Sequence, residues 1–78
     1  MEVRNILNRL KWHPDESLEE VEIKIIHRGE KGDSKIIMGR DIEKLERSFL
    51  VTNDGTWIPY HRVIEIRREN EILWKKEI

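Results

Sequence analysis

The apolar residues of this chain keep helical spacing only over its first dozen positions and alternate two by two afterwards. Val3, Ile6, Leu7 and Leu10 stand at i, i+3, i+4 and i+7, one face of a helix, and leave Arg4, Asn5, Asn8, Arg9 and Lys11 to water. The spacing predicts a helix over residues 2 to 11, with Trp12 extending the apolar stripe and Pro14 closing it by biasing His13 out of the helical region. From residue 20 the period becomes two. In EVEIKIIHR, Val21, Ile23, Ile25 and His27 share one face, which predicts a half-buried strand over 20 to 28. GEKGD then reads as a hairpin loop leading into a second strand, SKIIM, at 34 to 38.

Gly39 ends that strand. RDIEKLER has only Ile42 and Leu45 at helical spacing, so a single helical turn or a structured crossover is expected there. SFLVT, NDG and TWIPYH predict a second hairpin, because Asn and Gly tolerate the positive φ of tight turns. HRVIEIRR and EILWKKE flank Asn70, whose tolerance of the left-handed region suits a turn between two further strands. The sum is an α+β fold: an N-terminal helix packed on a curved, mainly antiparallel sheet of five or six short strands, with a small partly open barrel as the alternative.

The 78 residues are expected to form a single domain, 1–78, since a chain of this length wraps one core. With no cysteine, neither disulfides nor thiolate zinc can support it. No apolar run exceeds three residues, far short of the roughly 20 that cross a bilayer, and the N-terminus does not read as a signal peptide, so the cytoplasm is the expected compartment. Charged residues make up 40% of the chain, the composition of surface ion-pair networks suited to a thermophile. They nearly cancel, at a net charge of −1, so a polyanion would have to be met by a local cluster.

Two places supply such a cluster. Pro59 cannot donate to a ladder, which places its strand at an edge, at a strand start or beside a bulge, where neighbouring side chains are re-aimed. Strict alternation sets Tyr60 and Arg62 against His61 and Val63, and a bulge would exchange them, so both His61 and Arg62 are carried as site candidates. HRGEKGD, at 27 to 33, repeats the His-Arg pair at another strand end. Convergence of His27, Arg28, His61 and Arg62 would bind an anion: Arg offers a planar fork to phosphate and His a donor whose charge follows the ligand. Gly29 and Gly32 would let the backbone approach, and Tyr60 or Trp57 would stack on a base. The competing readings are solvated His-Arg pairs, a buried His27 satisfied by a carbonyl, and an Asp33 that merely closes its hairpin. Trp12 and Trp74 are expected in the core. No spacing of His and acidic residues matches a metal site, and neither metal nor cofactor is expected.

The segments VRNILNRLKWHP, VEIKIIHRGEKGDSKII and IPYHRVIEI followed by a tryptophan strand resemble the RNA cyclic-group end recognition domain family of small archaeal proteins, over Val3 to Trp74. The resemblance marks His27, Arg28, Gly29, Gly32 and Asp33 in one motif and Pro59, His61 and Arg62 in the other. It implies a binder of single-stranded RNA ends carrying a 2′,3′-cyclic phosphate, in RNA processing or repair. Implied partners are RNA ends and proteins of the RNA ligase, phosphodiesterase or nucleotidyltransferase kind. Similar chains often carry glycine in the last turn, where this one has Glu69 and Asn70.

Two other functions stay open. A cyclic phosphodiesterase would use two histidines as general base and general acid. Two-histidine phosphoesterases, however, place Thr or Ser two residues after each histidine, and here those positions are Gly29 and Val63. Binding is therefore expected before catalysis. A protein-interaction module would instead offer an exposed sheet edge.

Overall fold

In the computed structural model the described residues are 2–13, 17–26 and 34–76. Helix α1 spans Glu2–Trp12, with Glu2 in its first turn and Arg9 and Lys11 in its last, each matched to the helix dipole. Strands follow at β1 Val21–Ile26, β2 Ser34–Met38, β3 Ile42–Leu45, β4 Phe49–Thr52, β5 Trp57–Pro59, β6 Val63–Arg68 and β7 Glu71–Lys75. Short 3₁₀ turns at Leu18–Glu20, Gly39–Asp41 and Tyr60–Arg62 join them. No helix among these residues is long and apolar enough to cross a membrane.

The α+β class holds, but the strands form two antiparallel sheets, ordered β2-β1-β6-β7 and β3-β4-β5, where one curved sheet of five or six strands was expected. They do not close into a barrel. The difference lies in residues 39 to 45. A 3₁₀ turn redirects the chain at Gly39–Asp41, and Ile42–Leu45, too sparsely apolar to read as a strand, pairs with β4. Gly39 permits this because its backbone lies against residue 18: a Cβ there would sit 1.7 Å from the Leu18 carbonyl oxygen.

Both sheets and the helix share one core. Val3, Leu7 and Leu10 of α1 meet Val21, Ile23 and Ile25 of β1, Val63 and Ile66 of β6, and Leu50 and Ile58 of the smaller sheet. Burial of these alternating side chains is the main favourable term. Trp12 is not among them: it is 74% exposed, with Lys11 Nζ over its ring at 5.3 Å from the centroid. Trp74 is half-buried against the core and donates from Nε1 to Glu2 at 3.2 Å, as a core-side tryptophan with a polar rim would.

The larger sheet carries a bulge next to the candidate residues and a left-handed residue in its last turn. Along β1 and β6, Lys24 pairs with Glu65 and Ile25 with Val63, so Ile64 is an extra residue, a bulge. In the last hairpin Glu69, at φ 56°, takes the left-handed conformation that the sequence assigned to Asn70.

Candidate functional site

Pro59 answers to its chemistry by ending β5, an edge strand whose ladder partner is β4. The next three residues form a 3₁₀ turn, in which positions i and i+3 eclipse. Tyr60 and Val63 therefore both turn inward, while His61 and Arg62 point out. The bulge at Ile64 keeps Val63 and Ile66 on the core side together.

This geometry separates the second His-Arg pair. Arg62 lines a cleft of about 360 Å³ between the β2 edge of one sheet and the β5 edge of the other. His61 lines a different hollow of about 300 Å³, beside Glu2, Trp74 and Lys76, whose Nζ donates to the His61 carbonyl at 3.2 Å. The convergence expected of these two side chains does not occur, because adjacent residues of a 3₁₀ turn diverge by a third of a turn. Tyr60 is a further correction. It is 1% exposed and has no free ring face for a base; its hydroxyl donates to the Glu46 carbonyl at 2.5 Å. His27, Arg28, Gly29, Gly32 and Asp33 lie outside the described residues. The described residues that bracket them, Ile26 and Ser34, pair with each other, and their neighbours Ile25 and Lys35 line the Arg62 cleft.

Beside Arg62 the cleft holds Lys35, Asp41 and Asp54, which were not candidates in the sequence. Lys35 and Arg62 supply cations, and Asp41 and Asp54 supply carboxylates. Among the described residues neither cation is engaged in an ion pair. Trp57 is 67% exposed and forms part of one wall, with Ile36 also lining the cleft. Lys35 and Asp41 gave no signal, since a single charge in a short strand or turn reads as ordinary surface. Trp57 was a stacking candidate, and its neighbour Ile58 is buried, so alternation along β5 turns Trp57 out.

The floor beside Trp57 is rigid for identifiable reasons. Thr52 and Thr56 face each other across Asn53-Asp54-Gly55, with Gly55 N donating to Thr52 O at 2.9 Å and Gly55 at φ 87°. This is a three-residue hairpin whose left-handed position belongs to glycine alone. Thr52 Oγ1 and, at 3.1 Å, Thr56 N donate to Asp54 Oδ1. The Thr52 bond foremost, with those from Thr56, holds the Asp54 carboxyl below its ordinary 3.8. Asn53 fastens the hairpin to the Gly39–Asp41 turn, donating from N to Asp41 O at 2.8 Å and from Nδ2 to Arg40 O at 3.3 Å. Among the described residues no group of three or more His, Asp or Glu is placed to hold a metal ion.

Comparison with known proteins agrees over nearly the whole chain. Residues 1–76 match the family described as the MJ1316 RNA cyclic group end recognition domain. The UPF0248 protein MJ1316 of Methanocaldococcus jannaschii is 43% identical over 77 residues, covering 96% of this chain and 94% of that protein. A UPF0248 protein of Methanococcus maripaludis strain C5 is 43% identical over 76 residues, covering 95% and 97%. One from Archaeoglobus fulgidus is 34% identical over 70 residues, covering 90% and 99%. No solved structure matches significantly. With the family matched across both sheets and the helix, and with archaeal relatives aligned almost end to end, the chain belongs to the MJ1316 RNA cyclic group end recognition domain family.

Proposed function

We propose that this protein binds the end of a single-stranded RNA and holds its terminal 2′,3′-cyclic phosphate in the cleft between β2 and β5. The observation that carries the reading is the placement of Arg62: an outward guanidinium in a concave site whose rim leads into residues 27 to 33. Arg62 and Lys35 would take the non-bridging oxygens, and His27 and Arg28, which follow Ile26 directly in the chain, would complete the grip. The description of the family, an RNA cyclic group end recognition domain, points the same way.

Charge favours the cyclic ester over other phosphates. The cleft's two cations are balanced by Asp41 and Asp54, so it has no net positive charge to offset the greater desolvation cost of a dianion, and a monoanion is the easier guest. A cyclic phosphodiester carries one negative charge, whereas a linear terminal phosphate carries about −1.5 to −2 near neutrality. The nearly neutral molecule would release few counterions, and binding should weaken only gently with salt.

Binding is favoured over ring opening by the position of His61. It lines the other hollow, so the acid–base pair that hydrolysis asks of two histidines would have to be found without it. Titrating one short RNA prepared with cyclic-phosphate, linear 3′-phosphate and 3′-hydroxyl ends tests the proposal. The cyclic end should bind tightest and be recovered intact.

A further inference from the structure

The cleft has an apolar wall for which a phosphate has no use. On it Trp57 stacks against Phe49, ring centroids 4.7 Å apart and planes inclined by 10°. One face of the indole is thus covered, yet the residue is 67% exposed, so its exposure falls on the opposite face and the edges. The ladder explains the stack: Phe49 pairs with Pro59 and Val51 with Trp57, which makes Phe49 and Trp57 diagonal neighbours on the outward face of β4 and β5. An aromatic ring braced from behind, on a strand held by the bonded Thr52–Thr56 hairpin, has little freedom left to lose when something packs on its front.

We infer that the free face of Trp57 is a platform for the terminal nucleobase of the RNA whose phosphate is held at Arg62; the inference rests on the proposed reading of the cleft as an RNA-end site. Charge argues for a nucleotide as the occupant. Trp57 and Ile36 share the cleft with Lys35 and Arg62, so a fitting ligand is flat and apolar in one part and anionic in another. A nucleobase joined through ribose to a phosphate meets both demands, while an apolar protein side chain meets only the first. Because every base has a π face, the platform should tolerate all four bases. The terminal base and the terminal phosphate together would then distinguish an RNA end from free inorganic phosphate.

The test measures dissociation constants for a short RNA with a 2′,3′-cyclic phosphate, its terminal nucleotide either intact or abasic, on the native chain, Trp57→Phe and Trp57→Ala. Removing the base should weaken binding to the native chain by about 5- to 100-fold. Trp57→Ala should weaken the intact RNA by a similar factor and become indifferent to base loss, and Trp57→Phe should keep most of the affinity. Equal affinity of the native chain for intact and abasic ends, with the cyclic end still preferred over a 3′-hydroxyl, would overturn the platform and leave the phosphate reading standing. Loss of that end preference in the native chain would overturn both. The comparison of the two RNAs on the native chain needs no variant, so it decides the matter even if Trp57→Ala fails to fold.

Discussion

The carbonyl of Glu46 accepts the phenol of Tyr60 at 2.5 Å and, on the helix side, Nε of Arg4 at 3.3 Å. One backbone oxygen thereby ties together the turn after β5, the connection between β3 and β4, and α1. The turn that aims Arg62 is fixed from beneath by its own first residue.

Tyr60→Phe keeps the ring and removes the hydroxyl. The expected cost is about 1 kcal/mol, a fall of roughly 4–8 °C in Tm for a domain of this size. Burial pushes the Tyr60 phenol above its ordinary 10.0. The folded state thus favours the neutral form, and stability is intact below about pH 10 and declines as pH rises through the elevated folded value. Urea midpoints measured from pH 7 to 11 should show that alkaline decline in the native chain and less of it in Tyr60→Phe.

Gly39→Ala should be far more damaging. The added methyl would meet the Leu18 carbonyl oxygen at 1.7 Å, a backbone atom that cannot step aside alone. A loss of about 3 kcal/mol or more is expected, a large fraction of the stability of a small domain. Thermal unfolding followed by circular dichroism checks it.

Glu69→Gly should stabilise. Glu69 holds φ 56°, which costs a residue with a Cβ about 1–2 kcal/mol, and glycine returns part of that gain through its greater freedom in the unfolded chain. The net expectation is about 0.5–1 kcal/mol, read as a higher denaturant midpoint with an unchanged slope.

Asp41→Asn should alter which phosphate is preferred. Asp41 lines the Arg62 cleft, and its charge opposes a dianion more than a monoanion. Neutralising it should raise affinity for a linear 3′-phosphate severalfold relative to the cyclic phosphate, measured on the same RNA at fixed salt.

The helix and the hairpins β1-β2, β4-β5 and β6-β7 were legible, because burial enforces period and the turn residues mark the reversals. Val3, Leu7 and Leu10 face the core at helical spacing, and Val21, Ile23 and Ile25 do so at strand spacing. The division into two sheets was not legible, since it depends on Gly39 touching Leu18, a contact between residues 21 apart in sequence. Arg62 was legible as a candidate through the proline before it, and alternation already set it apart from His61; which of the two enters the cleft was not legible, since that needed the 3₁₀ turn, which has no signature in the residues Tyr-His-Arg. Tyr60 went to the core for the same reason, and Trp57, one alternation step outside Ile58, took its place at the surface. Trp12 was expected to extend the apolar stripe, yet at 3.6 residues per turn it falls on the face of α1 opposite Val3, and it is exposed there.

Capture of a terminal cyclic phosphate by Arg62 is tested most directly by the affinities of the native chain and Arg62→Ala for one RNA bearing cyclic-phosphate, linear 3′-phosphate or 3′-hydroxyl ends. The native chain should prefer the cyclic end, and Arg62→Ala should lose about 10- to 100-fold for that end while its binding of the hydroxyl end changes little. Equal native affinity for all three ends, or an end preference untouched by Arg62→Ala in a folded protein, would contradict the assignment.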